Sequence, residues 1–158
     1  MIAAPACAAP SMHGVAPLEL DEDRIHAVVS AMPRADTEVI RSLGRSVVLL
    51  APGGEAAARA ALDAAAASGS AAPVLVGDAD AWASSWSLAA TIRELAVVVV
   101  HGGASEYRAL VRERELPPLL DDGVRQCWVA RPGEQVVRAA WPIPSTTTET
   151  APQTNNTH

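Results

Sequence analysis

The chain has 158 residues, 49% of them hydrophobic but only 3% aromatic, with no phenylalanine, and a formal net charge of −6. That length and apolar content fit one globular domain with a core of Val, Leu, Ile and four Trp, while the acidic balance excludes the basic footprint of a nucleic-acid binder. All twelve basic residues are arginine. A Walker A ATPase, a receiver domain and a Schiff-base enzyme each need a lysine, so none can operate in this chain alone.

Residues 1–17 are rich in Ala and Pro, lack periodicity, and read as a disordered tail. Their apolar stretch has no Lys or Arg before it and is interrupted by Pro5 and Pro10, so it does not read as a signal peptide. No run approaches the ~18 apolar residues of a membrane span. The composition points to a cytoplasmic protein encoded by a GC-rich bacterial genome, with no membrane insertion and no nucleic-acid partner. Cys7 and Cys127 form no CxxC or metal pattern and read as reduced, incidental thiols.

Asp21 to Met32 carries Ile25, Val28, Val29 and Met32 at helical spacing and predicts a first helix, stopped by Pro33. Asp36, Thr37 and Glu38 open a second, short helix that ends at Leu43-Gly44. A strand follows over 46–51, closed by Pro52-Gly53-Gly54. Glu55 to Ser68 is an alanine-rich helix with Gly69 at its C-cap.

The next strand, Val74 to Val76, delivers Asp78 and Asp80 to its C-terminal end. Trp82 to Arg93 predicts a helix with Trp82 and Trp86 one turn apart. A strand over Leu95 to Val100 ends in His101-Gly102-Gly103, and Ser105 to Glu115 forms a helix that Ser105 can cap. On it, Arg108, Arg112 and Arg114 interleave with Glu106, Glu113 and Glu115, as on a solvated helix face. Gln126 to Ala130 and Gln135 to Ala140, joined by Arg131-Pro132-Gly133-Glu134, read as an edge hairpin. Residues 145–158 are polar and read as a second tail.

Apolar strands separated by helices predict a three-layer α/β fold with a mostly parallel sheet, P-loop NTPase-like or Rossmann-like, over residues 18–144. Right-handed crossovers would bring Asp78, Asp80, His101, Gly102, Gly103 and Ser105 to one edge of the sheet. Asp78 and Asp80 could position Mg²⁺ there, or simply cap the next helix. HGG after a strand suits an oxyanion hole, but the G-x-S-x-G elbow that would accompany it is absent. Pro52-Gly53-Gly54 matches neither G-x-x-x-x-G-K-[ST] nor G-x-G-x-x-G, and Glu55 would itself occupy the positive helix end. Exposed, Trp82 and Trp86 would form an interaction hot spot to which Trp128 and Trp141 add; buried, they would be core.

Four stretches resemble the degenerate C-terminal ATPase-like domain of FtsK/SpoIIIE-type (EccC-like) translocases. Glu38 to Pro52 is similar to the helix after the P-loop and the next strand. Pro73 to Asp80 resembles the Walker B strand, which would make Asp78 and Asp80 its acidic pair. Val97 to Leu110 resembles the following strand and helix, with Gly103 where the family usually has arginine. Gly133 to Pro142 resembles the terminal edge strand. The likeness spans residues 38–142. No P-loop stands upstream, where the chain has Pro33-Arg34-Ala35-Asp36. The resemblance implies a non-catalytic module that binds a protein partner, or pairs with itself, and needs no cofactor. The alternative is a small nucleotide- or small-molecule-binding enzyme, with Mg²⁺ or nucleotide held at the strand C-terminal ends by Asp78, Asp80, His101 and Ser105.

Overall fold

A computed structural model describes residues 15–111, 117–121 and 125–144. The expected tail positions 1–14 and 145–158, Cys7 among them, and residues 112–115 of the expected helix lie outside the described residues, as do 116 and 122–124.

The architecture is a three-layer α/β fold around one six-stranded sheet. In chain order the elements are β1 (His26–Ser30), α1 (Pro33–Ser42), β2 (Val47–Leu49), α2 (Glu55–Ser68), β3 (Val74–Gly77) and α3 (Ala79–Ser84). These are followed by α4 (Trp86–Leu95), β4 (Val97–His101), α5 (Ala104–Leu110), β5 (Gln126–Ala130) and β6 (Val137–Ala140). The strand order is β2-β3-β1-β4-β5-β6. The first four strands are parallel, and β5 and β6 complete the sheet as an antiparallel hairpin. At the turn between them Glu134 N–H donates to the Arg131 carbonyl at 3.1 Å, with Gly133 at φ 75° behind Pro132. That is the left-handed position such a Pro-Gly turn needs.

The first element is a strand where helical spacing predicts a helix. His26 to Ser30 are all buried, and β1 lies at the sheet centre, paired with β3 on one side and β4 on the other. A strand covered on both faces is continuously apolar, and a short continuous run satisfies a helical template as readily as a strand. Ile25, Val28, Val29 and Met32 are such a coincidence. Met32, expected on the apolar face, is 59% exposed.

Strand alternation divides the core in two. Ala27, Val29, Leu75, Val98, Val100 and Trp128 pack with Ala58 of α2, Trp82 of α3, Leu88 and Ile92 of α4, and Tyr107 and Leu110 of α5. Their neighbours Val28, Val74, Val76, Val97, Val99, Cys127 and Val129 pack with Val39 and Ile40 of α1 and with Trp141. So α1 covers one face and the other four helices cover the opposite face. At the N-terminal side of the described chain, Leu18 N–H donates to the Ala140 carbonyl at 2.9 Å, and Ala140 N–H donates to the Ala16 carbonyl at 2.8 Å. Ala16 to Leu18 thus run beside β6.

Two further expectations change. The helix predicted from Trp82 to Arg93 is two helices, broken at Ser85, which is fully buried. Trp82 is 0% exposed, with its Nε1–H donating to the Val28 carbonyl at 3.0 Å, whereas Trp86 is 73% exposed. Gly77 makes room for the indole, since a Cβ there would lie 3.2 Å from Trp82 Nε1. Trp128 and Trp141 are also buried, so they belong to the two core layers and add nothing to an exposed tryptophan surface.

Candidate functional site

In an open parallel sheet a crevice forms where neighbouring strands send their connections to opposite faces. Here β1 leads into α1 on one face, while its neighbours β3 and β4 lead into α3 and α5 on the other. The crevice therefore lies over the C-terminal end of β1. The parallel register sets Ser30, the last residue of β1, against His101, the last residue of β4. Alternation from Val28 and from Val97 and Val99 turns both side chains to the α1 face.

Above them α1 begins after a two-residue turn, Ala31-Met32, with Pro33 at its first position. Its first turn lowers Asp36 onto the strand ends, 2% exposed. One carboxylate oxygen, Oδ2, accepts from the Ser30 hydroxyl at 2.5 Å and lies 2.7 Å from His101 Nδ1. Ser30 Oγ accepts in turn from the Met32 N–H at 2.9 Å. The Ala31 N–H donates to the His101 carbonyl at 3.0 Å. The His101 ring is stacked on Trp141, with centroids 4.1 Å apart and planes within 10°.

The arrangement is a buried carboxylate with two donors, held from three elements. A carboxylate accepting from Nδ1–H fixes the imidazole tautomer and leaves Nε2 as the ring's other polar atom. Among the described residues Nε2 has no hydrogen-bond partner, and His101 lines a cavity of about 320 Å³ with Ala31, Met32, Gly102, Arg125 and Gln126. Ser30 is no nucleophile in this geometry, because its proton goes to Asp36 and not to the imidazole.

The residues singled out in the sequence divide. His101 and Gly102 belong to this site. Asp78 and Asp80 share the sheet edge but not the cluster. Asp78 is exposed and caps α3, its Oδ1 accepting from the Ala81 N–H at 2.8 Å. Asp80 is exposed in the first turn of the same helix, two residues past the capping position. Ser105 is exposed and does not cap α5. Gly103 stands at that N-cap, and its N–H donates to Glu106 Oε2 at 2.8 Å. A Cβ at 102 would lie 2.7 Å from Glu106 Cγ, so a side chain there would displace Glu106. Trp82 is core, and Trp86 is exposed at the start of α4.

Sequence reasoning missed Ser30 and Asp36 as partners of His101. The missing signal was β1 itself, since a strand ending at Ser30 before a helix that starts at Pro33 brings the three together. Cys127 is buried among the α1-face core, and burial, assisted by the Asp36 charge, pushes its thiol up to about 12. Such a thiol is inert near neutrality. Among the described residues no group of three or more His, Cys, Asp or Glu could hold a metal, and no helix is long and apolar enough to cross a membrane. Compared with protein-family models, curated proteins and solved structures, the chain matches none.

Proposed function

We propose that the protein is a non-hydrolysing α/β domain, of the degenerate ATPase-like kind its sequence resembles, that acts by binding a protein partner. One observation carries the reading. The first turn of the helix after the central strand is where a nucleotide-binding sheet receives phosphate, and here that turn holds the buried Asp36 carboxylate. A phosphate arriving there would meet an anion already satisfied by Ser30 and His101. The two-residue turn before α1 offers no long loop to wrap a phosphate, and no lysine is present to reach one. Trp86, 73% exposed, supplies the kind of aromatic anchor that interface centres favour.

The test is a photo-crosslinking amino acid at position 86, with the exposed Ala60 of α2 as control position, in extract of the source cells. A discrete adduct from 86 and none from 60 is the expected result. Equal labelling from both positions, alongside saturable Mg²⁺-nucleotide binding, would overturn the reading. A second reading, a small-molecule enzyme, draws on His101 Nε2, which Asp36 equips as a general base facing a cavity. It predicts turnover that is lost in His101→Gln while the fold is retained.

A further inference from the structure

We infer that the cavity at the end of β4 is a binding site for a small aliphatic carboxylic acid. Three features converge there. The first is His101, whose Nδ1 is committed to the buried Asp36 at 2.7 Å and whose ring is clamped by Trp141, so that only Nε2 remains for a ligand. The second is Arg125, an exposed residue just before β5 whose guanidinium makes no hydrogen bond among the described residues. Its backbone is held in place, since the Arg125 carbonyl accepts from the Trp141 N–H at 3.0 Å. The third is an apolar wall of Ala31 and Met32, with Met32 59% exposed beside the cavity.

A carboxylate accepts from the Arg125 guanidinium and from Nε2–H of the imidazolium form of His101, and a short alkyl chain covers Met32. The cavity, about 320 Å³, has room for such a molecule. The other polar groups nearby are already engaged. The Gln126 amide donates to Asp121 Oδ2 at 3.1 Å and accepts from the Asp121 N–H at 2.9 Å. The Glu106 carboxylate, which lies against Gly102, accepts from the Gly103 N–H. Among the described residues, Asp36 is the charged group in contact with the imidazole.

The test is a titration of the full chain with propionate, followed by the His101 imidazole and Gly102 amide resonances in nitrogen-15 NMR. Propionamide serves as the uncharged control, and acetylated, amidated glutamate represents a polypeptide side chain. Saturable shifts with propionate below about 50 mM, absent with propionamide and weakened roughly tenfold in Arg125→Ala, are the expected result. His101→Gln should abolish binding, with the amide spectrum elsewhere unchanged. Shifts of equal size with propionamide, or none with propionate in the folded chain, would overturn the inference. Tighter binding of the glutamate derivative than of propionate would overturn the free acid as the ligand.

Discussion

Two acidic constellations share one edge of the sheet and behave in opposite ways. At the end of β3, Asp78 and Asp80 are exposed, and Asp78 serves only the helix that follows it. At the end of β1, Asp36 is buried and ties Ser30 to a histidine 65 residues away. Carboxylates that stand out in a sequence because they end a strand can be spent on local capping. A carboxylate that looks like ordinary helix-opening chemistry can be the one that organises the site. Burial and long-range partners separate the two, not spacing.

The same contrast runs through the tryptophans, and it gives the largest expected effect. Trp82→Ala removes a fully buried indole and its bond to Val28, and should cost roughly 3–5 kcal/mol in denaturant unfolding. Trp86→Ala should stay within about 0.5 kcal/mol. Equal costs would mean that the two belong to one helix face after all.

Asp36→Ala leaves the Ser30 hydroxyl buried and His101 Nδ1 without its acceptor, and should cost about 2–3 kcal/mol. It should also abolish the downfield Nδ1–H resonance of His101. A cost as small as that of an exposed carboxylate would dissolve the distinction between the two acidic groups.

His26, at the other end of β1, sharpens the comparison, because among the described residues its ring hydrogen-bonds only to a backbone carbonyl, that of Arg24 at 3.1 Å. Burial lowers its pKa from 6.5, with Arg45 adding to the effect and the Arg24 carbonyl opposing it. The unfolded chain then binds the proton more readily than the fold does. Stability should be unaffected above pH 6.5 and fall below it, with a slope of at most about 1.4 kcal/mol per pH unit from this group. His26→Gln should flatten that limb of the pH–stability curve. An unchanged limb would assign it to other groups.

Smallest of all, Asp78→Ala should cost about 1 kcal/mol, the worth of a helix cap. Asp80→Ala should cost no more than about 0.5 kcal/mol.

Most of the fold was legible in the residues. The α2 helix with its glycine C-cap, the β5–β6 hairpin and its Pro-Gly turn, and the parallel strands around Val74 and Val97 follow from local chemistry that the tertiary structure keeps. The central strand was not legible as a strand. Its buried run fits both periods, and its identity comes from β3 and β4 on either side. The site went with it. His101 and Gly102 were visible because they follow an obvious valine strand, whereas Ser30 and Asp36 become partners only once β1 lies beside β4. Trp82 and Trp86 show the complementary limit, since spacing cannot see a helix break at a buried serine.

The central claim is that Asp36 fills the place a nucleotide phosphate would take. Equilibrium melting of the folded chain with saturating Mg²⁺ and ATP tests it most directly, because a ligand at ~100 Kd raises stability by about 2.7 kcal/mol. The account predicts an unchanged melting temperature for the wild-type chain. A rise that disappears in Asp78→Ala would contradict it, and would make the end of β3 the working site.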